Sequence, residues 1–95
     1  MPRKRYNKRP FSQKQVDQIP KKPGVYTLLN RAGNPIYVGS SRKGERRLEE
    51  HLRQQDIPGV AHFRFQQTPS AREAKPLEKR LIKRHKPKYN EQLKD

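Results

Sequence analysis

Ninety-five residues with 24 Lys and Arg against 9 Asp and Glu carry a formal charge of +15, with 28% hydrophobic residues and no cysteine. A chain of this size holds one modest core, and without cysteine it has no disulfides, thiolate metal sites or thiol nucleophile. No stretch approaches the roughly 18 apolar residues of a spanning helix, and no basic helix carries the bulky apolar face of an interfacial anchor, so no membrane partner is expected. The charge points instead to a polyanion. Nucleic acid leads, because Lys and Arg that neutralise phosphates gain affinity from released counterions. No apolar signal-peptide core follows the start, so the expected location is cytoplasmic, and nucleoid-associated in a prokaryote.

Residues 1–10 are basic with almost nothing to bury and read as a disordered arm, either a solubilising tail or a phosphate contact. Val16 and Ile19, three apart, suggest a short helix over residues 12–19 that Pro20 and Pro23 stop. The expected organisation is an arm over residues 1–22 and a compact domain over residues 23–95. Residues 24–30 and 35–39 are rich in strand formers, and Arg31-Ala32-Gly33-Asn34 between them is a turn signal. In the resulting hairpin, Tyr26 and Tyr37 are expected as cross-strand neighbours. Residues 45–55 read as a helix with Leu48 and Leu52 as its core stripe, and Arg47 and His51, also four apart, lie beside that stripe. Ile57-Pro58-Gly59 ends it, and residues 62–66 alternate polar and apolar as a half-buried third strand. The expected fold is α+β, a three-stranded antiparallel sheet flanked by helices. Ser70 and Glu73 form a capping box ahead of a last helix that runs to about His85, with Ala74, Leu77, Leu81 and Ile82 on its buried face. Pro76 either kinks this helix or marks its true start.

Glu78 falls at the edge of that apolar face, where a carboxylate either pairs with Lys75 or Arg80 or ligates a hard divalent cation, which prefers oxygen ligands and keeps several waters. Tyrosine in a hairpin is ordinarily a packing residue. Next to Arg42, Lys43, Arg47 and a metal, however, one phenol could become phenolate and take a proton from water. The forked guanidinium of Arg47 suits phosphoryl oxygens. His51 could orient the attacking water or hold a phenol. His62 and His85 lack partners at metal-site spacing and read as structural or DNA-facing. These are the parts that phosphodiester cleavage requires.

Gly24-Val25-Tyr26 and Tyr37-Val38-Gly39, followed in order by Arg47, Leu77-Glu78, Leu81-Ile82 and Pro87-Lys88-Tyr89-Asn90, resemble the GIY-YIG nuclease family, closest to its bacterial excinuclease-type incision domains. The resemblance covers roughly residues 23–95. It implies a β-β-α-β-α order, one Mg²⁺ or Mn²⁺ held by Glu78, Tyr26 and Tyr37 as candidate bases, Arg47 as phosphate stabiliser and Asn90 as a supporting residue. Together with His51 these form the expected catalytic set. Ser40, Arg42, Lys43, Arg46, Lys86 and Lys88 are the expected nucleic-acid contacts. The chain departs from the excinuclease pattern at Ser40, where those domains usually have lysine and where Arg42 is the substitute; at His51, where they often have tyrosine; and at Pro76, just ahead of Leu77-Glu78. The expected function is metal-dependent endonuclease action on duplex or branched DNA in repair or recombination. The alternative is an inactive nucleic-acid-binding module of the same fold.

Overall fold

The computed structural model describes residues 8–92. In chain order these form β1 (Arg9–Pro10), α1 (Gln13–Val16), β2 (Gly24–Leu29), β3 (Pro35–Ser41), α2 (Gly44–Gln54), β4 (His62–Gln67), α3 (Ala71–His85) and α4 (Lys88–Gln92). The architecture is α+β, and the sheet is antiparallel with strand order β1-β4-β2-β3. The three expected strands are present and a fourth, β1, extends the sheet beyond β4.

All six residues of β2 are buried, because this central strand is covered on both faces. Strand side chains alternate between faces. Tyr26 and Leu28 therefore point to one side, joining Phe63, Phe65, Leu48 and Ile57 in the larger core, while Val25 and Val38 point to the other and meet Ala74 and Leu77 of α3. Each fully buried aromatic or large aliphatic side chain here contributes about 1.5–3 kcal/mol. Val16 and Ile19 belong to the larger core, and α1 packs on α2. The hydrophobic core thus reaches back past Pro23 into residues assigned from sequence to the arm. Arg9 ties this segment down by donating to Gln15 and Gln18.

Three local features place the functional side chains. The hairpin closes through Asn30 N–H to Asn34 O, with Gly33 at φ 89°, and the β2/β3 register shifts between Leu28 and Leu29. Tyr26 consequently sits opposite Gly39, and Tyr37 opposite Leu28. The phenols are diagonal rather than direct neighbours, but the two-residue offset leaves them on one face. Helix α2 starts at Gly44, where a Cβ would meet the Phe65 ring at 2.2 Å, so it rests directly on that ring. Helix α3 starts at Ala71, with Ser70 Oγ accepting from Glu73 N–H, and runs unbroken through Pro76. The cap fixes its start, and Pro76 on the exposed side costs one backbone bond without ending it.

Candidate active site

Tyr26 emerges from the centre of β2 with its ring fully buried, and its hydroxyl has room only because residue 39 is glycine: a Cβ there would lie 2.3 Å from the phenol oxygen. That oxygen is 2.9 Å from His51 Nε2, and His51 Nδ1 is 2.9 Å from Asp56 Oδ1. A carboxylate only accepts, so Nδ1 carries the proton and donates to Asp56, and the Nε2 lone pair accepts from the Tyr26 hydroxyl. Helix geometry sets up this series. His51 is buried on the inner face of α2, and Gln55, in the left-handed region at φ 50°, ends the helix with its N–H on His51 O. The chain reverses there and returns the Asp56 carboxylate to the ring. Tyr37 completes the cluster, its ring centroid 6.3 Å from Tyr26 and 5.4 Å from His51.

Burial pushes the Tyr26 phenol well above its ordinary value; the neighbouring Tyr37 and Glu78 add to this, and Arg47 pulls the other way by charge and hydrogen bonding. Tyr37 is raised by the same leading cause, again opposed by Arg47. Burial works against the charge of Arg47, yet Tyr26 and Glu50 hold its guanidinium above the usual range. Desolvation therefore outweighs the cation, and without a bound metal both phenols are neutral near pH 7. The cation acting on both phenols is Arg47; Arg42 and Lys43 are exposed. Arg47 itself pairs with Glu50 at 2.5 Å.

Glu78 approaches from α3 on the other side of the sheet. Its Oε1 accepts from Ser40 Oγ at 2.9 Å and lies 3.7 Å from Lys75 Nζ, and the side chain is 22% exposed. Oε2 has no partner among the described residues. No group of three or more His, Asp or Glu converges as a metal cage among the described residues. A single carboxylate with one free oxygen facing solvent nonetheless fits a hard cation that keeps most of its waters.

Asn90 lies on α4 and bonds the backbone of β3 between Tyr37 and Gly39. Its Oδ1 accepts from Val38 N–H at 2.7 Å and its Nδ2 donates to Val38 O at 2.9 Å, so the amide holds the outer edge of β3 in place. Ser40 and Arg42 line a cleft of about 530 Å³ with Arg72 and Lys75 of α3, beside Glu78. Arg46, Lys86 and Lys88 are exposed, Lys86 at the left-handed end of α3 and Lys88 over the Tyr89 ring. None of these three is joined to the phenol cluster by a hydrogen bond, ion pair or ring contact.

Sequence reasoning missed Asp56, whose approach depends on a left-handed non-glycine residue that no pattern announces. It also missed Arg72, and it named Lys75 only as a pairing partner of Glu78, which the structure bears out, and not as part of the cleft. Their spacing of three, continued by Lys79, is a basic stripe along one helix side and was readable.

Residues 22–91 match the UvrC-like GIY-YIG domain family. The chain is 36% identical over 92 residues to UvrABC system protein C of Methanosphaera stadtmanae and 38% identical over 88 residues to that of Bacteroides fragilis. Those alignments cover 86% and 84% of this chain but 15% and 14% of the relatives' length. The structure superposes on the crystal structure of the GIY-YIG N-terminal endonuclease domain of UvrC from Thermotoga maritima, bound to its catalytic magnesium, with TM-score 0.74 and 33% identity over 82% of this chain and 93% of that one. A point variant of the same domain, also bound to its catalytic divalent cation, superposes with TM-score 0.73.

Proposed function

The chain belongs to the UvrC-like GIY-YIG family, and from that premise we propose that it is a metal-dependent endonuclease hydrolysing phosphodiester bonds in duplex or branched DNA. The observation that carries this reading is the buried series from Asp56 through His51 to Tyr26, flanked by Arg47 and within electrostatic reach of Glu78. A surface that only binds has no use for a phenol whose proton is aimed at a carboxylate-oriented imidazole.

Each residue then has a chemical task. Asp56 fixes the tautomer of His51, whose Nε2 lone pair receives the Tyr26 proton. Phenolate character at Tyr26 is costly in this buried position and is offset by Arg47 and by the resulting His51 imidazolium. The Tyr26 oxygen takes a proton from the attacking water. Tyr37, less buried and without a hydrogen bond to His51, orients that water. Arg47 exchanges Glu50 for phosphoryl oxygens, which its guanidinium grips in a forked geometry. Glu78 and its free oxygen would hold one Mg²⁺ or Mn²⁺, with Ser40 steadying the other oxygen. When bound, the cation supplies Lewis-acid stabilisation to the phosphoryl and leaving oxygens. Arg42, Arg72 and Lys75 line the adjoining cleft as backbone contacts. A role in repair or recombination, in the cytoplasm and on the nucleoid of a prokaryotic host, is part of the same proposal.

The test incubates the protein and its Glu78→Gln variant with plain, nicked, flapped and branched DNAs in Mn²⁺ and in Mg²⁺. The parent is expected to cut at least one substrate, and the variant to bind that DNA without cutting. Binding of every DNA with cleavage of none, by the parent, would establish the binding module instead.

A further inference from the structure

On the α3 side of the sheet, away from the phenols, a second concave site remains that cleavage chemistry does not use. Its volume is about 170 Å³, room for roughly five water molecules. That is too small for a drug-sized ligand and large enough for a compact anion.

The floor is Val25 and Thr27 of β2, and one wall is Arg64 and Gln66 of β4. The register explains this grouping, since Thr27 pairs directly with Arg64 and Val25 with Gln66. Arg84 and His85, at the last turn of α3, form the facing wall. Thr27 is 7% exposed, and its hydroxyl has no hydrogen-bond partner among the described residues. The hydroxyl opens into the pocket, where it can bond water or an incoming ligand oxygen. Neither guanidinium has an ion pair or hydrogen bond among the described residues, and no carboxylate lines the site. Partial burial, then the charges of Arg84 and Arg64, hold His85 below its ordinary value, so the positive potential of both arginines converges on one ring.

Donors and cationic groups converging without an acidic partner describe an oxyanion site. We propose that this pocket holds a phosphate group of the nucleic-acid backbone, gripped by Arg64 and Arg84 with the Thr27 hydroxyl beneath it. A phosphopeptide or a lipid headgroup offers the same oxygens, but the charge of +15 and the basic cleft beside Glu78 favour nucleic acid. Glu78 and His85 are seven residues apart on α3, two turns on the same side and roughly 10 Å along the axis. One strand of nucleic acid can therefore reach both the carboxylate and the pocket along a single side of α3. This reach to Glu78 rests on the nuclease reading; the phosphate site itself does not.

The test uses the full chain carrying Glu78→Gln, so that binding is measured without cleavage. Affinity for a labelled DNA duplex is followed against salt for Arg64→Gln, Arg84→Gln, the pair, and Thr27→Val. Two arginines on one phosphate neutralise one charge, so the pair should lower the slope of log K against log salt by about one unit. Each single variant should already lose most of that. Thr27→Val, which changes no charge, should weaken binding several-fold at an unchanged slope. Inorganic phosphate should shift the His85 ring resonances selectively, and the Arg64→Gln/Arg84→Gln pair should abolish the response.

An unchanged slope for the pair overturns the proposal. So does an additive loss of about two units, which would mean two independent surface contacts. Equal binding of a phosphopeptide or an anionic vesicle by the parent and loss of both in the pair would assign the pocket to that ligand and overturn the nucleic-acid proposal. Thermal unfolding of each variant shows whether it is folded; Arg64 and Arg84 are exposed, so their variants keep the core. If the active chain cuts no DNA while the pair still loses one unit, the nuclease reading fails and the pocket stands.

Discussion

Replacing Asp56 by Asn keeps the side chain's size and an acceptor for His51 Nδ1 but removes the charge that supports an imidazolium. A hydrogen bond to a charged group contributes about 1.5–3 kcal/mol. Asp56 is 42% exposed, so screening places the effect at the lower end of that range. With about 1.4 kcal/mol per tenfold in rate, Asp56→Asn should slow cleavage about tenfold. The assay is single-turnover cleavage at saturating protein in Mn²⁺, together with DNA affinity in the Glu78→Gln background, which should not change. The ¹⁵N resonances of His51 report the tautomer: the parent should show the proton on Nδ1, and Asp56→Asn a mixture. Asp56→Glu should recover part of the rate. A parent-like rate in Asp56→Asn, with the His51 resonances altered, would show that the tautomer does not govern the chemistry and that Tyr26 is not the base it serves.

Gly39→Ala should both destabilise and inactivate, since its Cβ would overlap the Tyr26 phenol at 2.3 Å; overpacking of this kind costs about 1–3 kcal/mol, read as a lower Tm by circular dichroism. Asn90→Ala leaves Val38 N–H and C=O without their partner and should cost about 1–3 kcal/mol, or roughly 4–8 °C in Tm for each kcal/mol. Cleavage by Asn90→Ala at a temperature where it is still folded should fall less than in Glu78→Gln, because Asn90 bonds the Val38 backbone and acts on Tyr37 only through it. Without bound metal, the Tyr26 phenol is raised in the native state, chiefly by burial, above the unfolded value of about 10. The native state then keeps a proton that the unfolded state loses, so stability is complete below about pH 10 and declines above it. Urea midpoints across that range should fall in the parent, and less steeply in Tyr26→Phe.

Much of the fold was legible because it follows from periodicity. Alternation in β4 placed Phe63 and Phe65 inward, the spacing of Leu48 and Leu52 placed α2, and Ser70 with Glu73 announced α3. What escaped were features set by single backbone conformations. The direct opposition expected for Tyr26 and Tyr37 centred the turn midway between them, whereas the register pairs Tyr26 with Gly39 and Tyr37 with Leu28, two residues away from it. An even shift preserves the face, which is why the phenols still meet. Strand β1 escaped because Arg9-Pro10 has no strand-forming composition, and its pairing to Phe63 and His62 is imposed by tertiary contact. Val16 and Ile19 read as a helix but not as core, since a spacing of three between two apolar residues says nothing about what they pack against. Glu78 stood out from its place at the edge of the apolar face, whereas the approach of Asp56 depended on Gln55 taking a conformation rare for a side chain of its kind.

The Asn90 amide on Val38 has a consequence beyond holding one strand. β3 is the last strand of the sheet on its side, and such a margin offers unpaired N–H and C=O groups on which another chain can stack. One side-chain amide, presenting a donor and an acceptor at the spacing of a peptide group, imitates a single residue of an absent neighbouring strand and occupies the middle of that margin. A strand pairing along this margin would first have to displace both bonds of that amide.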